Sequence, residues 1–252
     1  MSRRRARSPV TLSEEDGVRY LHFGSPWVQG AMRIARPWQL ELAYQQQMMA
    51  CALFLPDPKR IVQLGLGAAA LTKFCFRHVA GARITAVELS ERVIDTARRS
   101  FALPPDDERL EVVQADAREY LGDRRRAGHT DWLQVDLYDA AARGPVFDDP
   151  EFYALCRRAL RRPGVACFNL FGRRFEPSLQ AIRAAFGERV VSLTEVEEGN
   201  RIVFGLHGSG FEDSVSTLAR RAGSLESAWK LPFRRWLADL GRERAQGDSL
   251  RI

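Results

Sequence analysis

The chain has 252 residues, 45% hydrophobic and 28% charged, which is enough for one full core and excludes a wholly disordered protein. The net charge is +6 and the pI about 9.5; of the 38 basic side chains, three (Lys59, Lys73 and Lys230) are lysines. Spread over this length, that charge does not by itself imply nucleic acid, and no apolar run is long enough to cross a bilayer.

Residues 1–17 open with Met1-Ser-Arg-Arg-Arg-Ala-Arg7 and continue without an apolar h-region, so they read as a disordered basic tail rather than a secretory signal. Residues 18–56 form a small N-terminal unit. Val18 to Phe23 and Trp27 to Ile34 are strand-like runs around Gly24-Ser-Pro26, which predicts a β-hairpin. Trp38 to Leu55 then reads as a helix, stopped by Pro56-Asp-Pro58.

From residue 57 to 252 strand alternates with helix. Strands are predicted at 60–64, 83–89, 110–115, 131–137 and 164–170, and helices at 68–79, 90–101, 117–125, 150–162 and 175–186. Val190 to Val196 and Arg201 to His207 complete a set of seven strands as a closing antiparallel hairpin, and helices near 212–222 and 226–241 finish the chain. The fold class is α/β, a doubly wound, mostly parallel, Rossmann-like sheet with a small β-hairpin region in front of it. Cys51, Cys75, Cys156 and Cys167 lie in apolar segments with no Cys-x-x-Cys pair, the pattern of buried thiols in a reducing, cytoplasmic protein. Cys75 and His78 lack partner ligands, so no metal is expected.

The chemistry collects at the strand ends, where ligands of such sheets bind. Gln63-Leu-Gly-Leu-Gly-Ala-Ala-Ala70 follows the first strand, and Gly65 and Gly67 allow a tight turn and close approach of backbone to ligand. The second strand ends in Glu88, 23 residues after Gly65, placed to accept ribose hydroxyls. The third delivers Asp116 and Ala117, suited to the amine and ring nitrogen of adenine, although Asp116 also suits a helix N-cap. The fourth delivers Asp136 and Asp139, and the fifth Asn169. Asp136 could hold a cationic donor or take a proton from an amine; Asp139 reads equally well as a loop acid.

These residues carry a resemblance. The Gly-x-Gly turn, Val87-Glu-Leu89, Ala115-Asp-Ala-Arg-Glu-Tyr-Leu121, Val135-Asp-Leu-Tyr-Asp139, Gly144-Pro-Val-Phe147 and Pro150-Glu-Phe-Tyr153 resemble the spermidine synthase family, within the class I S-adenosylmethionine-dependent methyltransferase fold. The resemblance implies an aminopropyltransferase that uses decarboxylated S-adenosylmethionine, or S-adenosylmethionine itself, as donor and a small amine as acceptor. It implies that Asp136 deprotonates the attacking amine and that Asp139, Tyr44 and Gln45 bind the acceptor. Gln29, Gly65, Gly67, Glu88, Asp116 and Ala117 would bind the donor. It also implies a homodimer with no metal.

The chain departs from the family pattern where Leu66 replaces the middle glycine of the loop and Ala68 the loop aspartate that grips the aminopropyl amine. Gln46 stands for a glutamate, Glu195-Val-Glu-Glu-Gly199 for the residues lining the diamine pocket, and Gly172-Arg-Arg174 brings positive charge after the fifth strand. The loss of the loop aspartate motivates an alternative, methyl transfer from intact S-adenosylmethionine to another acceptor. The substrate-side changes motivate another, a non-catalytic binder. An NAD dehydrogenase would need a third fingerprint glycine that is absent, and no aromatic-basic stripe supports nucleic acid as acceptor.

Overall fold

The computed structural model describes residues 9–138, 145–172, 175–194, 196, 199–209, 211 and 213–245. Three strands open the chain, β1 (Thr11–Glu15), β2 (Val18–His22) and β3 (Gly30–Arg33), paired antiparallel in the order β1-β2-β3. Part of the expected tail is therefore ordered. Thr11–Glu15 is fully exposed and carries little apolar signal, yet it zips onto β2 from Thr11 opposite His22 to Glu15 opposite Val18. The Asp16-Gly17 turn, with φ of 49° and 74°, supplies the left-handed pair a tight hairpin needs.

The predicted helix over 38–55 is two short ones, α1 (Ala43–Met48) and α2 (Cys51–Phe54), separated at Met49-Ala50. Tertiary burial rather than helical periodicity governs this stretch, since every residue from Gln47 to Phe54 is buried.

Seven strands follow: β4 (Arg60–Leu64), β5 (Arg83–Glu88), β6 (Leu110–Gln114), β7 (Thr130–Val135), β8 (Leu160–Phe171), β9 (Val190–Ser192) and β10 (Asn200–His207). Their order is β6-β5-β4-β7-β8-β10-β9, with β10 antiparallel to both neighbours and β4 to β8 parallel. The expected mostly parallel seven-stranded α/β sheet is present, and the sequence order reverses between β4 and β7, the switch point where open sheets bind ligands. β7 (TDWLQV) is buried along its whole length, as a central parallel strand covered on both faces must be.

Helices α3 (Ala70–His78), α4 (Glu91–Ser100), α5 (Ala117–Gly122), α6 (Pro150–Ala159) and α7 (Glu176–Phe186) alternate with the strands, and α8 (Val215–Trp229) and α9 (Phe233–Ala245) close the chain. One core layer joins α1, α2, α3, α4, α8 and α9 to the sheet through Met49, Phe54, Phe74, Ala97, Leu218, Phe233 and Trp236. The other joins α5, α6 and α7 through Tyr120, Phe152, Cys156, Ile182 and Phe186. Burying side chains of this size contributes about 1.5–3 kcal/mol each before entropy is counted. Helix starts are set by caps at Ser90, Asp116 and Asp149, whose side chains accept from first-turn amides. All four cysteines are buried free thiols.

Candidate active site

A cavity of about 490 Å³ opens at the carboxyl ends of β4, β5, β6, β7 and β8. The volume lies within the usual range of small-molecule sites, about 300–1,000 Å³. Gln29, Tyr44, Gln45, Gly65, Gly67, Glu88, Asp116, Ala117 and Asp136 all line it. Nine side chains or turns expected from the sequence thus converge on one space. Asp139 lies outside the described residues, as do Arg173, Arg174, Glu195, Glu197 and Glu198.

The floor is the turn after β4. Gly65 has φ 95°, and a Cβ there would run into the Asp136 carbonyl oxygen. The glycine therefore lets β4 and β7 close on each other at the switch point, which fixes the position of Asp136. Beneath the turn, Thr72 donates to Gln63 Oε1 (2.6 Å) and Gln63 Nε2 donates to Gln134 Oε1 (2.8 Å). This buried polar ladder ties α3 to β4 and β7.

Glu88 accepts from the Leu66 amide (3.1 Å) and the Ser90 amide (2.9 Å), so it holds the glycine turn in place. Burial pushes its carboxyl up, and the backbone bonds from Ser90, Leu66, Leu89 and Gly67 pull against that. The carboxylate still lines the cavity. Asp116 is the N-cap of α5, accepting from the Arg118 amide (2.8 Å) and the Glu119 amide (3.2 Å). Both cap bonds fall on Oδ1 and the residue still lines the cavity, so the cap and the ligand-facing position coexist.

Asp136 is the centre of a hydrogen-bond chain. Tyr44 Oη donates to its Oδ2 (3.1 Å) and Asn169 Nδ2 to its Oδ1 (2.8 Å). Behind these, Gln45 Nε2 donates to Tyr44 Oη (3.3 Å) and Asn200 Nδ2 to Asn169 Oδ1 (2.9 Å). Burial raises the Asp136 carboxyl above the ordinary value, against the lowering effect of Asn169 and Tyr44. The same environment pushes the Tyr44 and Tyr138 hydroxyls well up, so both stay protonated donors. Gln45 Oε1 is buried with no hydrogen-bond partner among the described residues, an acceptor beside the cavity that a ligand N–H could satisfy.

Sequence reasoning placed Asn169 at the strand edge without a role, and missed Asn200, Tyr138, Trp27 and Phe171. Asn200 begins β10, which runs antiparallel to β8 with Asn200 opposite Phe171, so it is the strand's first residue that reaches the ligand edge. Reading the starts as well as the ends of strands would have found it. Trp27 and Tyr138 each meet the Phe171 ring edge-on at 6.2 Å, and together they form an aromatic wall of the cavity.

Ala68 does not face the cavity. It is buried under the N-terminal sheet with Leu21, Met32 and Phe101, and a Cβ on Gly30 would sit 2.6 Å from the Ala68 methyl. The argument that its lost carboxylate selects the donor therefore fails: the position is a packing contact between β3 and the turn.

The sequence model of the spermine/spermidine synthase domain matches residues 41–171. A polyamine aminopropyltransferase of Neisseria meningitidis serogroup A is 33% identical over 92% of this chain and 88% of its own. Among solved structures, a probable spermidine synthase from Corynebacterium glutamicum superposes with a TM-score of 0.72 at 20% identity, over 93% of this chain and 92% of that one. A spermidine synthase in complex with the transition-state analogue AdoDATO superposes with a TM-score of 0.65 at 19% identity, over 94% and 86%.

Proposed function

The chain belongs to the spermine/spermidine synthase family, and on that premise we propose that it transfers an aminopropyl group from decarboxylated S-adenosylmethionine to a small amine. One observation carries this reading. In an arginine-rich chain of net charge +6, the cavity is lined by Glu88, Asp116 and Asp136 and, among the described residues, by no lysine, arginine or histidine. Such a site suits a donor whose tail ends in an ammonium and an acceptor that is itself a cation. The tail of intact S-adenosylmethionine adds a carboxylate, which would meet negative charge without a counter-cation.

In the proposed reaction the acceptor enters as an ammonium and Asp136 takes its proton. The freed nitrogen lone pair attacks the aminopropyl carbon bound to sulfur, the carbon–sulfur bond breaks, and methylthioadenosine leaves. A carboxyl raised by burial is the stronger base, and general-base help of this kind is worth about 10²–10⁴-fold. Glu88 would hold the ribose, Asp116 and Ala117 the adenine, and Gly65 and Gly67 would let the backbone approach the donor. Tyr44 and Gln45, with Asp139, would position the acceptor, and Gln29 would close over the nucleoside. Trp27, Tyr138 and Phe171, which line the cavity, would lie against the ammonium and sulfonium charges.

Pairing into a homodimer and residence in the cytoplasm belong to the same proposal; no helix among the described residues is long and apolar enough to cross a membrane. The test is calorimetric titration with decarboxylated and intact S-adenosylmethionine. Tighter binding of the decarboxylated donor supports aminopropyl transfer, and preference for the intact one overturns it in favour of methyl transfer.

A further inference from the structure

A second basin lies at the opposite, amino-terminal edge of the parallel strands. It has a volume of about 630 Å³ and is lined by Arg157, Arg158, Arg161, Arg162 and His207, with glycine, alanine and leucine between them and, among the described residues, no acidic side chain. Two of these arginines have duties elsewhere: Arg158 donates to the Leu121 and Gly122 carbonyls, and Arg161 lies 3.5 Å from Asp131. Arg157, in the last turn of α6, and Arg162, on β8, both aim at His207. The Arg157 Nε lies 3.3 Å from Nδ1 and the Arg162 Nε lies 3.1 Å from Nε2 of the same ring. Among the described residues no carboxylate is within ion-pair distance of either.

This arrangement is unsatisfied. A neutral imidazole accepts a hydrogen bond at one nitrogen and carries a proton on the other. One guanidinium N–H must therefore face another N–H, whichever tautomer is present. His207 is buried while Arg157 and Arg162 are exposed, so the acceptor that the guanidiniums lack must come from the solvent side. The charged groups acting on His207 are Arg157, Arg162 and Arg189, all cations. Burial and those three charges depress its basicity, which keeps the ring neutral at pH 7. The aminopropyl-transfer reading makes no use of this cluster.

We propose that the basin binds a small multivalent oxyanion of the phosphate class, held by the Arg157 and Arg162 guanidiniums and by His207. A planar guanidinium fork matches a phosphate oxygen pair, and the anion would supply the acceptor that the trio lacks. The charges converge on one concave point rather than running along a stripe, which favours a compact anion over a nucleic acid strand. Since His207 gains an anionic neighbour on binding, protonation and binding reinforce each other, and affinity for an anion of constant charge rises as pH falls.

The test uses the full chain and sodium pyrophosphate, followed by calorimetry in low salt at about pH 6 and about pH 8, the span in which a histidine changes charge. The expected result is one pyrophosphate per chain, and sulfate, whose charge is the same at both pH values, should bind more tightly at the lower one. Arg157→Gln and Arg162→Gln should each weaken it at least about tenfold, about 1.4 kcal/mol. Arg98→Gln, which removes an exposed arginine paired with Asp106 on α4, should leave it unchanged. The imidazole resonance that vanishes in His207→Asn should titrate at higher pH when pyrophosphate is bound. Thermal melts show which variants fold, and Arg157→Lys, which keeps the charge and loses the fork, should also bind more weakly. Tighter binding of ADP than of pyrophosphate would make the natural ligand a nucleotide; equal affinity would make it the inorganic anion. Failure of the wild-type chain to bind either overturns the proposal. So does equal weakening by Arg98→Gln, which would mean a diffuse field, or capture of single-stranded RNA by the basin arginines without pyrophosphate binding.

Discussion

Tyr44→Phe removes the hydrogen bond that tunes the proposed base, together with the bond from Gln45 behind it. The substitution removes one hydroxyl, the donor to Asp136 Oδ2 at 3.1 Å, and leaves the ring in place. Asp136 keeps its second donor, Asn169 at 2.8 Å, so the carboxylate stays in position. A hydrogen bond to a charged group is worth about 1.5–3 kcal/mol. At about 1.4 kcal/mol per pKa unit, its loss raises the Asp136 carboxyl by about 1–2 units above a value burial has already raised. The assay is the pH profile of kcat/KM for release of methylthioadenosine from decarboxylated S-adenosylmethionine with a saturating amine. The acidic limb should move up by about 1–2 pH units, while the rate well above it stays within about tenfold of wild type. A limb that does not move, or a loss of rate that is uniform across pH, would refute Asp136 as the titrating base under Tyr44's control.

Asp136→Asn should lower turnover by about 10²–10⁴-fold and at the same time raise the melting temperature at neutral pH. The sign follows from the raised carboxyl: a group easier to protonate in the folded state gives its full stability below its unfolded value and withdraws it as pH rises through the folded one. Ala68→Asp, which restores the family's loop acid, should destabilise the fold by about 3 kcal/mol or more, because the carboxylate would be buried unpaired against Gly30 and Ala68 lies outside the cavity. A gain in affinity for the decarboxylated donor without loss of stability would contradict that packing. Lys73 is buried with its Nζ donating to the Phe101 carbonyl at 2.6 Å, and burial lowers it from 10.5 to about 8. The unfolded chain then holds more protons between those values, so stability should rise with pH across them by up to about 3 kcal/mol. Denaturant melts of Lys73→Met should lack that rise.

The sheet was legible because its strands are short apolar runs between helices with caps and breakers. Glu88, Asp116 and Asp136 were legible because parallel strands deliver their last residues to one edge. Asn200 was not, since an antiparallel strand reverses that rule, and nothing local to the residue announces the reversal. The strand at Thr11–Glu15 was hidden because its pairing with β2, not burial of its own side chains, orders it. Ala68 misled for a different reason. The motif places a residue in the turn but does not say which way its Cβ points, and here Gly30 on a separate sheet receives it.

Incubation of the protein with decarboxylated S-adenosylmethionine and a panel of diamines, with products identified by mass, tests the central claim most directly. The account predicts equal amounts of methylthioadenosine and an aminopropyl-extended amine, and about 10²–10⁴-fold slower formation of both in Asp136→Asn. Methylation of any acceptor by intact S-adenosylmethionine, with no aminopropyl product from any amine, would contradict it.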